Sequence, residues 1–308
     1  MQGKKDTTSL KGRLVADMIA YLSNAPLLGP GIKTGSLRRK WPEPEWKVPD
    51  CFVATDIDMG DFSMKLLKSK DQPVENKIIL QLHGGGYMNP VRNAYYVFAG
   101  LYNEVSGGYA VLTPDYRVAP EHPYPAALQD AVAAYRYILE QGYYGEQIVL
   151  GGDSAGGGLA MALCMYLRDH RMPMPAGIVA MSPWTDVTAS GESYVTNFER
   201  DPLFGKTKES IIYQNAYVGN EDPMHPYISP VFGDFRGFPP MLIQVGSTEM
   251  LLSDSVSVAA KAREQGVRVR LSEYEGMFHV FQMAYLALPE SKKAWQEVGK
   301  FLQILREF

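Results

Sequence analysis

The stretch that decides the fold runs from residue 148 to residue 156 and reads Ile148-Val149-Leu150-Gly151-Gly152-Asp153-Ser154-Ala155-Gly156. It begins as a short apolar run, which is typical of a buried strand, and from Ala155 it continues with a helical pattern. The pattern G-x-S-x-G between a strand and a helix predicts a sharp turn with Ser154 at its apex. Such a turn strains the backbone and lifts the hydroxyl out of the sheet, so Ser154 is the candidate nucleophile.

Two other glycine-rich turns can stand between a strand and a helix. A Walker loop needs a Gly-Lys-Ser/Thr sequence at a fixed spacing, and no lysine follows the glycines here. A dinucleotide-binding fingerprint needs glycine at its third position, where this chain has Ser154. The context therefore favours a nucleophile over a phosphate-binding loop.

Short apolar runs alternate with amphipathic helical patterns from about residue 51 onward. Strands are predicted at 51–57, 62–67, 77–82, 109–112, 147–150, 178–181, 241–245 and 267–274. Helices are predicted at 10–22, 125–140, 155–168, 206–217, 253–265 and 290–308. This alternation is typical of an α/β fold, with a mostly parallel central sheet and helices on both faces.

Two segments interrupt the alternation, residues 1–45 and residues 187–236. The first combines a helical pattern with a Gly/Pro-rich stretch, and the second is proline-rich around one helical pattern. Long inserts in compact domains are usually functional. We therefore interpret the two segments as a cap over the active site and residues 46–186 and 237–308 as the core; the alternative is surface decoration.

The base that would activate Ser154 is predicted from chain order. Hydrolases with this elbow present serine first, then the acid, then histidine. Among the five histidines only His225 and His279 come late in the chain. His225 lies in the proline-rich insert, whereas His279 follows the last predicted strand, where it can reach the end of the sheet. His279 is the predicted general base.

Two carboxylates can serve as the acid that orients His279, namely Glu249 and Asp254. Both follow the strand predicted at 241–245. Glu249 is nearer to the carboxyl end of that strand, where ligand-facing residues of open sheets gather. Asp254 is better placed to cap the helix that follows. Glu249 is the preferred acid, and Asp254 remains the alternative.

The donors for a negatively charged oxygen are predicted in the stretch His83-Gly84-Gly85-Gly86, which follows a buried strand. Glycines allow the backbone to approach a substrate closely and to aim its N–H groups at a carbonyl oxygen. We expect the donors to be the N–H groups of Gly85, Gly86 and Ala155. His83 is interpreted as a structural anchor of this loop.

Three blocks together resemble the hormone-sensitive-lipase-type carboxylesterases, the bacterial family IV of the α/β-hydrolase superfamily. They are 83–86 (HGGG), 115–127 (DYRVAPEHPYPAA) and 152–157 (GDSAGG). The resemblance implies an α/β-hydrolase core with an N-terminal helical cap, hydrolysis of short- to medium-chain acyl esters, and no metal or cofactor. It also implies a possible homodimer through a sheet edge. The chain departs from the family at the acid, where Glu249 stands in place of the usual aspartate.

Composition limits the partners. The formal net charge of −4 and the pI of about 5.8 argue against nucleic acid, and the densest basic run, at 36–40, is short. No apolar stretch is long enough for a membrane span. The N-terminus lacks the apolar region of a signal peptide, and two cysteines far apart favour a reducing compartment. These features predict a cytoplasmic protein that acts on a small-molecule ester.

Two further functions fit the same residues. The first is deacetylation of acetylated sugars or oligosaccharides by the same serine, acid and histidine. The second is ligand binding without catalysis, because plant gibberellin receptors share this fold and have lost catalytic function. The combination of Ser154, His279 and an acid candidate favours an ester hydrolase over both.

Overall fold

The computed structural model describes residues 8–37, 42–285 and 287–306. Three parts of the sequence-based predictions lie outside these residues: the first seven residues of the expected cap, residues 38–40 of the basic run, and the last two residues of the helix predicted to reach residue 308.

One sheet of eight strands runs through the molecule in the order β1-β2-β4-β3-β5-β6-β7-β8. The strands are β1 Phe52–Asp58, β2 Ser63–Ser69, β3 Val74–Leu82, β4 Tyr109–Asp115, β5 Ile148–Asp153, β6 Gly177–Met181, β7 Met241–Gly246 and β8 Val269–Tyr274. Strand β2 is antiparallel to both neighbours, and the pairs from β4 through β8 are parallel. The prediction of a mostly parallel sheet is confirmed.

Eight α-helices are described, five of which cover the sheet. They are α1 Leu10–Ser23, α2 Gly29–Lys33, α3 Asn93–Ser106, α4 Ala126–Glu140, α5 Ala155–Asp169, α6 Ser193–Thr196, α7 Leu252–Glu264 and α8 Pro289–Ile304. The helix α3 was not predicted. The other long helices begin and end within a few residues of the predicted bounds.

The core is divided in two by the sheet. Side chains of successive strand residues point to opposite faces, so Leu80 and Leu150 pack against α4, α5 and α7. Ile79 and Val149 point the other way and pack against α3 and α8. Because both faces are covered, the central strands are apolar at nearly every position, as the sequence indicates.

The prediction of a helix at residues 206–217 is wrong, because the chain forms turns, bends and irregular structure in this range. Some of its polar groups bond locally, as in the N–H groups of Tyr213 and Gln214, which both donate to the carbonyl of Ser210. Others bond to distant parts of the molecule. The backbone N–H of Ile211 donates to the carbonyl of Lys33 over 2.8 Å. The side-chain amide of Asn215 donates to the carbonyl of Gly86 over 2.7 Å. Tertiary hydrogen bonds therefore help to hold this range in a conformation other than a continuous helix.

Residues 8–37, hereafter the N-terminal segment, are linked to residues 187–236, hereafter the insert. The buried ammonium of Lys33 donates to the carbonyl of Gly205 over 2.7 Å and to the side-chain oxygen of Asn24 over 2.9 Å. Burial lowers the pKa of Lys33. The hydroxyl of Ser23 also donates to the carbonyl of Pro202. The two segments, far apart in sequence, therefore contact each other directly.

Candidate active site

Ser154 stands at the apex of the turn between β5 and α5. Its backbone is strained, with a φ of 52° and a ψ of −123°, a region that non-glycine residues rarely occupy. Glycines on either side allow the close approach that this turn needs. A Cβ at Gly152 would lie 2.3 Å from the carbonyl oxygen of Gly156, and one at Gly156 would lie 2.1 Å from that of Leu82. The predicted strand–turn–helix is therefore present.

Three predicted residues meet in one chain of hydrogen bonds. The Nε2 atom of His279 lies 2.9 Å from the Oγ atom of Ser154, and its Nδ1 atom lies 2.8 Å from the Oε2 atom of Glu249. All three side chains are buried, Glu249 completely and the other two with 8% exposed. The carboxylate can accept only, so Nδ1–H donates to Glu249 and Nε2 is left to accept from the serine hydroxyl. This is the geometry of a nucleophile, a base and an acid that orients the base.

The other carboxylate oxygen of Glu249 also accepts hydrogen bonds. The Oε1 atom accepts hydrogen bonds from the hydroxyl of Ser182 over 2.7 Å and from the backbone N–H of Gly246 over 2.5 Å. The same hydroxyl accepts from the N–H of Val280, next to His279, over 3.1 Å. Ser182 thus connects the carboxylate of Glu249 with the loop that carries His279, a contact that the sequence does not predict.

Asp254, the alternative acid, points away from the site. Its Oδ2 atom accepts the backbone N–H groups of Thr185 and Asp186 over 2.7 and 2.9 Å. The expectation that it caps the following helix is wrong, because α7 has Leu251 at its N-cap and no side-chain cap. Burial raises the pKa of the Asp254 carboxyl well above its usual range. Its contacts fit a structural group that holds the chain after β6.

The loop that bears Glu249 is held from outside by the insert. The side-chain amide of Asn197 donates to the carbonyls of Ser247 and Glu249 over 3.1 and 2.7 Å. The buried carboxylate of Asp201 accepts the N–H of Met250 over 2.8 Å. Neither residue was singled out from the sequence, since no local pattern marks a contact about fifty residues away.

The glycine loop after β3 lies beside the serine. The backbone N–H of Gly84 donates to the carboxylate of Asp153 over 3.1 Å. The carbonyl of Gly85 accepts from Asn89, and that of Gly86 accepts from Asn215. Both glycines have positive φ angles, 115° and 66°, which glycine adopts without strain. The loop is therefore fixed in a backbone conformation that side chains would disfavour.

His83 is not part of the hydrogen-bond chain. Its ring stacks on Tyr116 with centroids 4.0 Å apart, and its Nδ1 atom lies 2.8 Å from the carbonyl of Gly84. The hydroxyl of Tyr116 donates to the carbonyl of His83 over 2.5 Å. These contacts fit an anchor of the glycine loop. His225, the other late histidine, lies in the insert against Tyr124 and Tyr227.

A cavity of about 280 Å³ opens on the serine, and most of its walls are apolar. The N-terminal segment contributes Ile32 and Leu37, and the core contributes Trp184 and the glycine loop. The insert contributes four apolar side chains: Leu203, Phe204, Ile211 and Ile212. A larger cleft of about 610 Å³ along α4 includes none of the three hydrogen-bonded residues. Ser154 and His279 therefore line the smaller of the two cavities.

Within the part of the chain that the structure describes, no group of three or more His, Cys, Asp or Glu side chains is arranged to hold a metal ion. No described helix combines the length and the apolar character needed to cross a membrane. The two cysteines are both free, Cys51 at the surface and Cys164 in the core.

Known proteins with similar sequences are ester hydrolases. The family described as alpha/beta hydrolase fold matches residues 79–283. An acetyl-hydrolase of Streptomyces hygroscopicus is 40% identical over 229 residues, which cover 74% of this chain and 76% of that protein. An esterase of Acinetobacter venetianus is 34% identical over 234 residues, which cover 75% of this chain and 76% of that esterase.

A similar solved structure is a crystal structure described as an esterase from the bacterial hormone-sensitive lipase family. It is 34% identical, with a TM-score of 0.84 over 96% of this chain and 98% of that one. Sequence, architecture and the geometry around Ser154 thus agree. The chain belongs to the α/β-hydrolase-fold family and, within it, to the hormone-sensitive-lipase-type esterases, and it is a serine carboxylesterase.

Proposed function

We propose that Ser154 is the nucleophile, His279 the general base and Glu249 the acid that orients the base. The observation that carries this assignment is the unbroken chain of hydrogen bonds from Ser154 through His279 to Glu249. As the Ser154 oxygen attacks the ester carbonyl, Nε2 of His279 takes its proton. Glu249 stabilises the imidazolium that forms and keeps the ring in the productive orientation.

Collapse of the tetrahedral intermediate releases the alcohol, which takes the proton back from His279. The acyl group is then bonded to the Ser154 oxygen. A water molecule gives a proton to His279 and attacks this acyl-enzyme, and the acid product leaves as Ser154 regains its proton. The base thus acts twice, and every proton returns to its starting place.

The oxyanion formed in both steps is proposed to bind the N–H groups of Gly85, Gly86 and Ala155. Among the described residues, none of these three N–H groups makes a hydrogen bond within the protein. Ala155 is the first residue of α5, so the positive end of the helix dipole supports the same site. Donors that are fixed before the reaction cost no reorganisation when charge develops.

The substrates are proposed to be short- to medium-chain acyl esters of small molecules. A cavity of about 280 Å³ is small for a long acyl chain, and its apolar walls suit an alkyl group. The N-terminal segment and the insert, which both line this cavity, are proposed to form the cap over a core of residues 46–186 and 237–308.

The oligomeric state and the cellular location are also part of the proposal. A homodimer is proposed to form through the edge strand β8, whose outer side faces no other strand among the described residues. A cytoplasmic location is supported by the two free thiols, of which Cys51 is exposed. Sedimentation of the purified protein tests the first, and fractionation of the source cells tests the second.

The roles are tested by hydrolysis of p-nitrophenyl esters from acetate to dodecanoate. Wild type is compared with Ser154→Ala, Glu249→Gln and Asp254→Asn. We expect the wild type to cleave short chains best, the first two variants to lose activity, and Asp254→Asn to retain it. Loss in Asp254→Asn together with retention in Glu249→Gln would reverse the assignment of the acid.

The same assay separates the alternative substrates. The relative from Streptomyces hygroscopicus is an acetyl-hydrolase, so acetylated sugars are included beside p-nitrophenyl butyrate. We expect the butyrate to be the better substrate because the cavity walls are mostly apolar. Faster turnover of the acetylated sugar would favour the deacetylase. Binding of esters without turnover in a folded protein would favour the non-catalytic homologue.

A further inference from the structure

The helix α1 carries a stripe of large apolar side chains that face solvent. Leu10, Leu14, Met18 and Tyr21 are 74%, 59%, 54% and 77% exposed. At about 100° per residue these four side chains lie within an arc of about 80°. Leu27, in the turn after the helix, is 94% exposed. Exposed large apolar residues are ordinary when scattered, but an aligned row of them marks an interaction surface.

The stripe is not the face that holds the helix to the protein. The opposite side of α1 packs through Val15, Ala16 and Ile19 on a cluster that includes Met277 and Phe281. The first turn is fixed by Ser9, whose N–H and hydroxyl donate to the carboxylate of Glu290 over 2.6 and 3.0 Å. The helix is therefore docked on one side and apolar on the other, so folding alone does not account for the exposed stripe.

The first 40 residues differ from the rest of the chain in net charge. By sequence, residues 1–40 contain eight Lys and Arg and two Asp, which gives a formal net charge of +6. The whole chain has a net charge of −4, so the remaining residues carry −10. Within α1 itself, the exposed Lys11 and Arg13 outnumber one exposed acid, Asp17. A basic segment on an acidic protein, with an apolar helix face, is the combination that binds anionic lipid surfaces.

We propose that the exposed face of α1, made up of Leu10, Leu14, Met18 and Tyr21, docks on an anionic lipid surface. The apolar side chains would enter the boundary between headgroups and acyl chains, with the helix lying in the plane of the surface. Lys11, which is exposed on the same helix, would approach the anionic headgroups. The helix stays docked on the protein, so no refolding is required.

The small size of the stripe favours a lipid surface over a second copy of the chain as its partner. A stable protein–protein interface takes about 20–30 residues from each side, whereas the stripe is one row of four side chains on a helix of 14 residues. Two copies that met through it would also bring two basic segments together. A lipid surface gains from the same charge.

The consequence for the substrate rests on the proposed function, whereas the binding itself does not. The N-terminal segment that carries the stripe also supplies Ile32 and Leu37 to the cavity over Ser154. Docking would thus bring the walls of this cavity to a surface in which apolar esters dissolve. The substrate class would then be esters held in a lipid phase rather than esters free in water.

The test is sedimentation of the purified full chain with vesicles of equimolar phosphatidylglycerol and phosphatidylcholine. Binding is compared with vesicles of phosphatidylcholine alone and at raised salt. We expect the wild type to bind the anionic vesicles, with a loss of about tenfold or more on neutral vesicles or when salt screens the charges. The variant Lys11→Glu should weaken binding about fivefold or more, since it replaces an attraction with a repulsion.

A triple variant, Leu10→Gln/Leu14→Gln/Met18→Gln, should reduce binding at least about tenfold, because it removes the inserted side chains. The matched control is Val97→Gln/Val195→Gln, two side chains that are 54% and 80% exposed elsewhere on the molecule. This control should bind like the wild type. All variants should keep wild-type thermal unfolding and wild-type hydrolysis of soluble p-nitrophenyl acetate.

Three outcomes would contradict the proposed docking surface. The wild type could fail to bind anionic vesicles, or the control variant could lose as much binding as the triple variant. The third is a wild-type dimer that becomes a monomer in the triple variant. The last would assign the face to contact between copies of the chain. Because sedimentation needs no turnover, Ser154→Ala should bind as well as the wild type. Failure of the esterase assignment and failure of lipid docking are therefore observed separately.

Discussion

Two buried carboxylates, five residues apart, do different things in this protein. Glu249 lies in the loop after β7 and bonds to His279, Ser182 and the backbone of Gly246. Asp254 lies in the first turn of α7 and bonds to two backbone N–H groups. Both are almost completely buried. The difference lies in their partners: one carboxylate bonds to the ring of His279, and the other holds a piece of chain.

The largest difference is expected in turnover. Glu249→Gln keeps the shape of the side chain but removes the charge that supports the imidazolium and holds its tautomer. We expect kcat to fall about 10⁴-fold, while the free energy of unfolding changes little. Steady-state kinetics with p-nitrophenyl acetate and urea unfolding measure the two quantities. A loss below tenfold would show that another group orients His279.

The opposite pattern is expected for Asp254→Ala. This variant leaves the N–H groups of Thr185 and Asp186 without their acceptor, and each buried unsatisfied group costs about 1–3 kcal/mol. We expect the free energy of unfolding to fall by about 2–4 kcal/mol. The folded fraction should keep a kcat within a few fold of the wild type. A loss of turnover comparable to that of Glu249→Gln would place Asp254 in the catalytic machinery.

A smaller effect is expected at Ser182, which touches Glu249 but not the substrate site. Ser182→Ala removes a hydrogen bond to a carboxylate, which we expect to lower kcat about tenfold with KM unchanged. The residue has a φ of 46°, so Ser182→Gly is the matched control because glycine tolerates this angle. Equal loss in both variants assigns the effect to the hydroxyl. Recovery in the glycine variant would assign it to backbone strain.

The smallest effect concerns the dependence of stability on pH. Burial, with repulsion from Asp186, raises the pKa of Asp254 in the folded protein above its value in the unfolded chain. Between those two values the folded state binds more protons, so this group costs stability as the pH rises. Asp254→Asn has no proton to lose. We expect the wild type to lose stability relative to this variant as the pH rises above about 4.

The measurement is urea unfolding of both proteins at several pH values from acidic to neutral. Parallel curves for wild type and Asp254→Asn would contradict a raised pKa at this site. The corresponding variant Glu249→Gln serves as a reference for a buried carboxylate with a different set of partners.

The sequence predicts best where chemistry and local structure depend on neighbouring residues. The turn at Ser154 follows from glycines beside it and from the apolar run before it, and the central strands follow from their length and composition. Chain order then singles out His279 among five histidines. The sequence favours Glu249 over Asp254 only through its position nearer to the end of the strand. Both follow the same strand, and their partners lie near residue 182 or in the last loop.

The sequence predicts least where long-range contacts override a local pattern. Residues 206–217 have helical spacing, but Ile211 and Asn215 bond to Lys33 and to the glycine loop, and the helix does not form. The contacts of Asn197 and Asp201 with the loop of Glu249 span about fifty residues. Nothing in the neighbourhood of either residue along the chain marks them, so only the folded molecule identifies them.

The buried bridge from Lys33 to Gly205 has a consequence for engineering. A designer who grafts only residues 8–37 onto another hydrolase would leave the ammonium of Lys33 with Asn24 but without the carbonyl of Gly205. The graft would also separate Lys33 from Ile211, whose N–H donates to the Lys33 carbonyl in the native chain. Recombination of relatives should therefore exchange residues 8–37 and 187–236 as a single cassette, with crossover points placed outside both.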